Sequence, residues 1–197
     1  MESLRVRGWK INMSNHNNKI QKIYEKVHES YLEKFEIWKQ DIIFSWQWWV
    51  GVLLTLLPWI LWIKYRKKES THRLLYVAFF VMIVSVWLDS IGVQLGLWYY
   101  NYEVLPFSPS YKPWDITLIP VLTIFLIQTK PQVNPFVKAV LYSAFISFIS
   151  EPLFVWAGYV VYPRWEYIYS FPIYLIIYLI SDFLSTRNTF VKINNER

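Results

Sequence analysis

The chain has 197 residues, of which 55% are hydrophobic, 20% aromatic and only 17% charged, and its formal net charge is +6. It contains twelve Trp and fifteen Tyr, and its apolar residues come in long blocks with the charges between them, which indicates a polytopic membrane protein. Because the chain lacks cysteine, disulfides, thiol nucleophiles and thiolate metal sites are excluded.

The N-terminal part is polar, and we expect residues 1–18 to be disordered. No apolar stretch occurs before residue 40, so we expect no cleavable signal peptide, and Met13 is an alternative start to Met1. Residues 19–43 are predicted to form an amphipathic helix, because apolar residues recur there at three- and four-residue steps: Ile20, Ile23, Val27, Tyr31, Phe35, Trp38 and Ile42. This helix is expected on the membrane surface or against the bundle, with a protein partner bound through residues 19–43 as the alternative.

Five apolar blocks follow, at about 44–63, 74–97, 114–129, 137–161 and 166–186. A helix needs about 20 residues to cross the hydrocarbon layer, so four blocks are long enough, and the third is a short span or a re-entrant segment. We therefore predict an all-α integral membrane helical bundle over residues 44–186, with about five transmembrane helices and a cytoplasmic tail at 187–197. No internal repeat is evident at this stage.

The distribution of Lys and Arg orients the bundle. Residues 64–73 contain five basic residues, whereas residues 98–113 contain only Lys112. The positive-inside rule therefore places the 64–73 and 130–138 loops and the C-terminus in the cytoplasm and the 98–113 and 160–166 loops outside. Five spans then put the N-terminus outside, even though residues 1–43 contain eight basic residues.

Three carboxylates lie in the outer halves of the apolar blocks, whereas a fourth, Asp182, lies near the cytoplasmic end of the fifth block. Asp89 lies about eight residues before the end of the second block, Glu151 about ten before the end of the fourth, and Asp115 begins the third. No Lys, Arg or His lies near them within the blocks, and a charged side chain in mid-membrane costs a few kcal/mol. We therefore predict that all three acids face the protein interior at a similar depth, either protonated or holding a cation.

The residues around these acids favour a polar cavity. Small residues share their helical faces, and Pro120 and Pro152 each free a backbone carbonyl. Asp89, Asp115 and Glu151 are therefore candidate catalytic residues, as acid/base or cation-stabilising groups. Candidate substrate-binding residues in the cavity wall are the nearby aromatics Trp87, Trp98, Tyr100, Trp114 and Trp156.

Other classes of site lack a signal in the sequence. His16, His28 and His72 lie outside the blocks without ligand spacing, so we expect no metal site, and no motif indicates a cofactor. No basic patch with interleaved aromatic residues lies outside the blocks, so we expect no nucleic-acid partner. The expected surroundings are the lipid bilayer, with a lipid or isoprenoid as the candidate ligand.

Two resemblances add to these expectations. The string LDSIGVQLGLWYYNYEVLPFSPSYKPWDITLIPV, residues 88–121, resembles small polytopic membrane proteins of Bacillus- and Clostridium-type bacteria that have no established function, as do residues 144–153 and 165–175. This resemblance implies a multi-pass protein of a bacterial plasma membrane. The spacing of Asp89, Gly96, Trp98, Tyr100, Asn101 and Leu105–Pro106 resembles the membrane lycopene cyclase domain, which protonates a polyene end group. The acidic pair that follows Leu-Pro in that family is replaced here by Phe107–Ser108.

Three functions remain open. The acids either brace a binding or interaction protein, act in a lipid- or isoprenoid-modifying enzyme, or couple protons or cations in a carrier. An enzyme predicts a closed, aromatic-walled pocket that touches at least two of the acids. A carrier predicts a polar route from Asp89 or Glu151 to one membrane face, and often an internal duplication.

Overall fold

The computed structural model describes residues 15–107 and 110–187, and within these ranges the chain is almost entirely helical. The helices are, in chain order, α1 (Asn15–Ile37), α2 (Trp46–Tyr65), α3 (Thr71–Gln94), α4 (Trp114–Gln128), α5 (Pro135–Trp156) and α6 (Tyr167–Ser185). A π turn, Trp38–Ile42, continues α1; two more form the start of α4 (Trp114–Leu118) and the middle of α5 (Ile146–Ser150). The predictions for residues 1–14 and for the tail after residue 187 lie outside the described residues.

Four of these helices, α2, α3, α5 and α6, are long and apolar enough to cross a membrane, and α4 is a shorter apolar helix. Each of the five predicted blocks corresponds to one helix. The surface of the bundle is apolar: Phe79, Ile83 and Leu141 are 62%, 58% and 65% exposed. Large contiguous apolar surfaces are unfavourable in water, so the exposed apolar surface fits a bundle that is surrounded by lipid. The prediction of an all-α membrane bundle is confirmed.

The core joins α3, α4, α5 and α6. Val77 and Val81 of α3, Ile124 of α4, Ala139 of α5 and Tyr178 of α6 are completely buried there. The small side chains Ala78 and Ala139, both completely buried, let the helix backbones approach closely, which is how helices associate where the solvent itself is apolar. The hydroxyls of Thr123 and Tyr142 pair at 2.9 Å inside this core and so satisfy each other.

The proline in α4 explains how α2 attaches to the bundle. Pro120 has no N–H to give to the carbonyl four residues earlier, that of Ile116. The indole Nε1 of Trp59 donates to this carbonyl instead, at 3.0 Å. One residue later, the hydroxyl of Thr117 donates to the backbone carbonyl of Thr55 at 2.9 Å. The π turn that begins α4 is therefore fastened to α2 by two hydrogen bonds.

Two very short strands join the ends of α3 and α5, a feature that the sequence reasoning did not foresee. Strand β1 (Tyr99–Tyr100) pairs antiparallel with β2 (Val160–Val161), with Tyr99 opposite Val161 and Tyr100 opposite Val160. Both preceding helices end at a glycine with positive φ, Gly96 at 68° and Gly158 at 77°. Glycine adopts this conformation without steric cost, which lets each chain turn from its helix into its strand.

The amphipathic helix exists, but its start differs from the prediction. Residues 15–18, expected within the disordered N-terminus, belong to α1. Residues 17–33 of α1 are exposed, and its contacts with the bundle lie near its C-terminal end. There Lys34 pairs with Glu103 at 2.5 Å, the indole of Trp38 donates to the Glu103 carbonyl at 2.9 Å, and Phe35 stacks on Phe107.

Candidate functional site

A cavity of about 70 Å³ lies among α3, α4, α5, α6 and the paired loops. All three predicted acids line it, and all are buried: Asp89 is 6% exposed, Asp115 2% and Glu151 4%. The structure thus brings together carboxyl groups from three different helices. Six of the residues that line the cavity are aromatic: Trp98, Tyr100, Trp114, Tyr162, Trp165 and Tyr174.

Asp89 is held by three hydrogen-bond donors. Its Oδ1 accepts from the indole Nε1 of Trp98 and from the hydroxyl of Tyr100, both at 2.6 Å. Its Oδ2 accepts from the backbone N–H of Tyr111 at 2.7 Å. Gly92 makes room for the Trp98 ring, because a Cβ at that position would lie 2.0 Å from the ring. Three short donors of this kind stabilise a carboxylate rather than a carboxylic acid.

The buried carboxyl groups of Asp115 and Asp89 lie close enough to interact in the same cavity. Two negative charges so close in a buried site repel each other strongly, so one of the two groups carries a proton. Asp89 already accepts from three donors, so Asp115 is the partner that carries the proton. The carboxyl oxygen Oδ2 of Asp115 is buried and has no hydrogen-bond partner among the described residues.

Glu151 is surrounded by hydroxyl groups that are themselves held in place. The Oγ of Ser170 donates to its Oε2 at 2.9 Å, and the side chains of Tyr162 and Tyr174 lie beside the carboxyl group in the same cavity. Ser170 in turn accepts from the indole of Trp165, at 2.9 Å. Tyr174 accepts from the indole of Trp114, also at 2.9 Å. The orientation of Glu151 is therefore fixed by a second layer of side chains.

The tyrosines that reach the acids from the loops stay neutral. Burial, followed by the neighbouring Asp89, raises the pKa of Tyr100 well above its usual range. Burial and the neighbouring Glu151 likewise raise the pKa of Tyr162. Both hydroxyls therefore remain hydrogen-bond donors over the whole physiological pH range.

The ionisable groups that line the cavity are carboxyl groups and tyrosine hydroxyls, without a Lys, Arg or His among the described lining residues. Lys112 lies nearby, but its ammonium group donates to the hydroxyl of Ser110 at 2.6 Å, and burial lowers its pKa. Within residues 15–107 and 110–187, no three His, Asp or Glu side chains are grouped so that they could hold a metal ion. The site therefore suits neutral or cationic groups and repels anions.

Two of the predicted wall residues are corrected by the structure. Trp87 is 64% exposed and Trp156 84% exposed, and both point away from the cavity. Trp87 is two residues from Asp89, which is about 200° around the helix, and Trp156 is about 140° from Glu151. Trp98, Tyr100 and Trp114 do line the cavity. Among the lining residues that sequence reasoning missed are Tyr162, Trp165, Ser170 and Tyr174.

The two halves of the site repeat one pattern, which corrects the expectation that the chain has no internal repeat. The spacing S-x3-[D/E]-x6-G-x3-Y occurs twice, 62 residues apart, as Ser85, Asp89, Gly96 and Tyr100 and as Ser147, Glu151, Gly158 and Tyr162. In each copy the serine and the acid are buried, the glycine has positive φ, and the tyrosine lines the same cavity as the acid. This spacing was the signal that would have identified Tyr162.

Comparisons of this chain with protein-family models, with curated proteins and with solved structures found no match. Functional inference therefore depends on the geometry of the cavity itself. That geometry combines two neighbouring carboxyl groups, a third carboxyl group bonded to a serine hydroxyl, and six aromatic side chains in the cavity wall.

Proposed function

We propose that the protein is an integral membrane enzyme that acts on an uncharged lipid or isoprenoid by acid–base catalysis. In this proposal the Asp115–Asp89 pair supplies a proton, and Glu151 stabilises positive charge on the ligand and accepts a proton from it. One observation carries the proposal: a single cavity lined by six aromatic side chains touches all three carboxyl groups. The resemblance to the lycopene cyclase domain points to the same chemistry.

Unpartnered polar atoms in the cavity support ligand binding over a purely structural role. The Oγ of Ser85 and the Oδ2 of Asp115 are buried, line the cavity and have no hydrogen-bond partner among the described residues. A buried polar group without a partner costs about 1–3 kcal/mol. Acids that merely brace a bundle would be fully paired, as Asp89 is, whereas a ligand that supplies a hydrogen bond relieves this cost.

The proposed chemistry follows from the positions of the charges. Transfer of the shared proton from the Asp115–Asp89 pair to an alkene carbon uses the π electrons to form a C–H bond and leaves a carbocation. The Glu151 carboxylate and the π faces of Trp98 and Trp114 stabilise that cation. Loss of a neighbouring proton to Glu151 forms a new double bond, so the ligand is isomerised or cyclised without a change in composition. Return of the proton to the pair completes the cycle.

Lipid analysis of bacterial strains tests the proposal. We expect deletion of the chain and the variant Asp115→Asn to change the same lipid species, whereas the variant Trp87→Phe, altered on the exposed face of α3, leaves the profile unchanged. Membrane levels of each variant are measured by immunoblot, so that loss of the protein is not read as loss of chemistry. Identical lipid profiles in the wild-type, deletion and Asp115→Asn strains would remove the proposal for the lipids detected.

A proton- or cation-coupled carrier is the second candidate, and two observations favour it. The duplicated Asp89 and Glu151 halves resemble the internal repeats on which many carriers are built. Tyr100, which donates to Asp89, also lines an outer groove of about 440 Å³ beneath α1, beside Lys34 and Glu103. A carrier predicts proton uptake by proteoliposomes containing the wild-type chain and none with Asp89→Asn. No uptake by the wild-type chain, measured with a pH-sensitive dye, counts against this candidate.

A further inference from the structure

We propose that an apolar groove beside the acid cavity binds the hydrocarbon tail of the ligand, and that the head of this ligand carries no negative charge. The inference rests on the proposed function and extends it to a substrate class: a single-chain lipid with an uncharged, hydrogen-bonding end. Trp114 and Phe154 form the boundary between the tail groove and the head cavity.

The tail groove is open to the lipid and almost wholly apolar. It has a volume of about 380 Å³, against about 70 Å³ for the acid cavity. Three helices form it, contributing Leu54 and Pro58 from α2, Leu122 and Phe125 from α4, and Phe145 and Leu153 from α5. Its shape and chemistry suit a hydrocarbon chain, and its polar content among the described residues includes only Ser150 and the indole of Trp114.

The groove and the acid cavity share a wall made of two rings. Trp114 lines both spaces, and its indole Nε1 holds the hydroxyl of Tyr174, which contacts Glu151. Phe154 packs edge-on against Trp114, with the ring centroids 4.8 Å apart. Phe154 also lines a small space of about 20 Å³ together with Glu151 and Tyr162. The two rings therefore form a closed wall between the groove and the acid cavity, and a chain from the groove must part them to reach the carboxyl groups.

The chemistry of the acid cavity selects the head of the ligand. A phosphate or diphosphate would meet three carboxyl groups and, among the described lining residues, no basic side chain. Like charges repel strongly where the dielectric constant is low, so anionic heads are excluded. A hydroxyl at the end of the chain can instead donate to Asp115 Oδ2 and pair with Ser85 Oγ, the two unpartnered atoms.

The groove determines where the tail lies more than how tightly the ligand binds. Lipid tails are as apolar as the groove, so moving a chain from one to the other yields little hydrophobic free energy. The direct measurement is therefore the position of the tail, not the dissociation constant.

Photolabelling measures that position. The full chain is purified into phosphatidylcholine nanodiscs and irradiated with geranylgeraniol that carries a diazirine at its tail end, and labelled peptides are identified by mass spectrometry. We expect the label on residues 118–125 and 145–154. Leu122→Trp fills the groove and should reduce this labelling by about tenfold, as expected for overfilling a packed site. The matched control Leu141→Trp, on a side chain that is 65% exposed and outside the groove, should leave it unchanged.

Each outcome decides one part of the inference. Labelling that is spread evenly over the exposed faces of all helices, or that persists in Leu122→Trp, overturns the tail groove. Equal groove labelling by the diphosphate form of the probe overturns the uncharged head. If groove labelling is specific while Asp115→Asn leaves the cellular lipids unchanged, the groove stands and the enzymatic proposal falls. Thermal unfolding of each variant verifies folding, and Ser150→Phe replaces Leu122→Trp if the latter does not fold.

Discussion

Substitution of Gly92 by alanine tests the connection between helix packing and the acid site. A Cβ at this position would lie 2.0 and 2.1 Å from two carbons of the Trp98 ring. Non-bonded carbon atoms lie about 3.5 Å apart at closest, so the ring must move by more than 1 Å to restore a van der Waals contact. The indole Nε1 of this ring donates to Asp89 at 2.6 Å, and the same movement breaks that hydrogen bond.

The expected loss of stability is the sum of three effects. Overpacking costs about 1–3 kcal/mol, and loss of a hydrogen bond to a charged group costs about 1.5–3 kcal/mol. Alanine recovers about 1 kcal/mol through its higher helix propensity. We therefore expect Gly92→Ala to lower the free energy of unfolding by about 1.5–5 kcal/mol.

Gly96→Ala, in the turn that follows the same helix, is the matched control. No atom lies within 4 Å of the Cβ it would add, but Gly96 has a φ of 68°. Left-handed strain alone predicts a loss of about 1–2 kcal/mol with the contact between Trp98 and Asp89 intact. Stability is measured by denaturant titration in detergent, and the contact by the indole N–H resonance of Trp98, assigned with Trp98→Phe.

The denaturant titration and the Trp98 resonance together test whether Gly92 sets the position of the Trp98 ring. We expect the Trp98 resonance to shift in Gly92→Ala and to stay in place in Gly96→Ala. If Gly92→Ala is as stable as the wild type and keeps the resonance, then the glycine does not set the position of the ring, and the reasoning fails.

Three further predictions concern other parts of the molecule. Asp115→Asn should change the free energy of unfolding by less than about 1 kcal/mol, because the amide can still donate to Asp89. The same variant should abolish any lipid conversion. A large loss of stability in the unfolding titration would refute the protonated state of Asp115. Burial raises the pKa of Glu103 above its usual value of 4.5, more than the neighbouring Lys34 lowers it, so the native state holds this proton more tightly than the unfolded state. Wild-type stability should therefore fall relative to Glu103→Gln as pH rises from 4.5 through the raised pKa. Thermal unfolding of both proteins across that pH window measures this difference in stability. A difference that stays constant with pH would contradict the prediction. Trp59→Phe should cost about 1–2 kcal/mol by leaving the Ile116 carbonyl unpaired, whereas Trp87→Phe, 64% exposed, should cost nothing measurable in the same titration.

The positions of the helices could be predicted from the sequence because the membrane imposes a length. Hydrocarbon excludes charge over about 20 residues, so block boundaries follow from hydropathy without knowledge of the packing. The same argument predicted that Asp89, Asp115 and Glu151 turn inward at one depth. It holds because burying an acid inside the protein, among hydrogen-bond donors, costs far less than exposing it to lipid.

The orientation of individual side chains was decided by the tertiary structure. Each residue turns about 100° around a helix, so Trp87 and Trp156 lie close to the acids in sequence and yet face outward. Ser170 and Tyr174 come from α6, more than fifteen residues from any of the three acids in the chain, and only helix packing brings them to Glu151. The pairing of β1 with β2 likewise depends on contacts between distant loops, which hydropathy does not encode.

The repeated spacing around Asp89 and Glu151 was present in the sequence but became recognisable only in the tertiary structure. The two acids differ, and most of the residues between the matched positions differ as well. The structure made it recognisable because the tyrosine at the same position in each copy lies beside the acid of that copy in one cavity. Sequence alone therefore determined which residues lie in the membrane and which acids turn inward, since bilayer thickness and desolvation act on every residue locally. Only the tertiary structure decided which donors hold those acids, because hydrogen bonds depend on side-chain positions that several helices and loops set together.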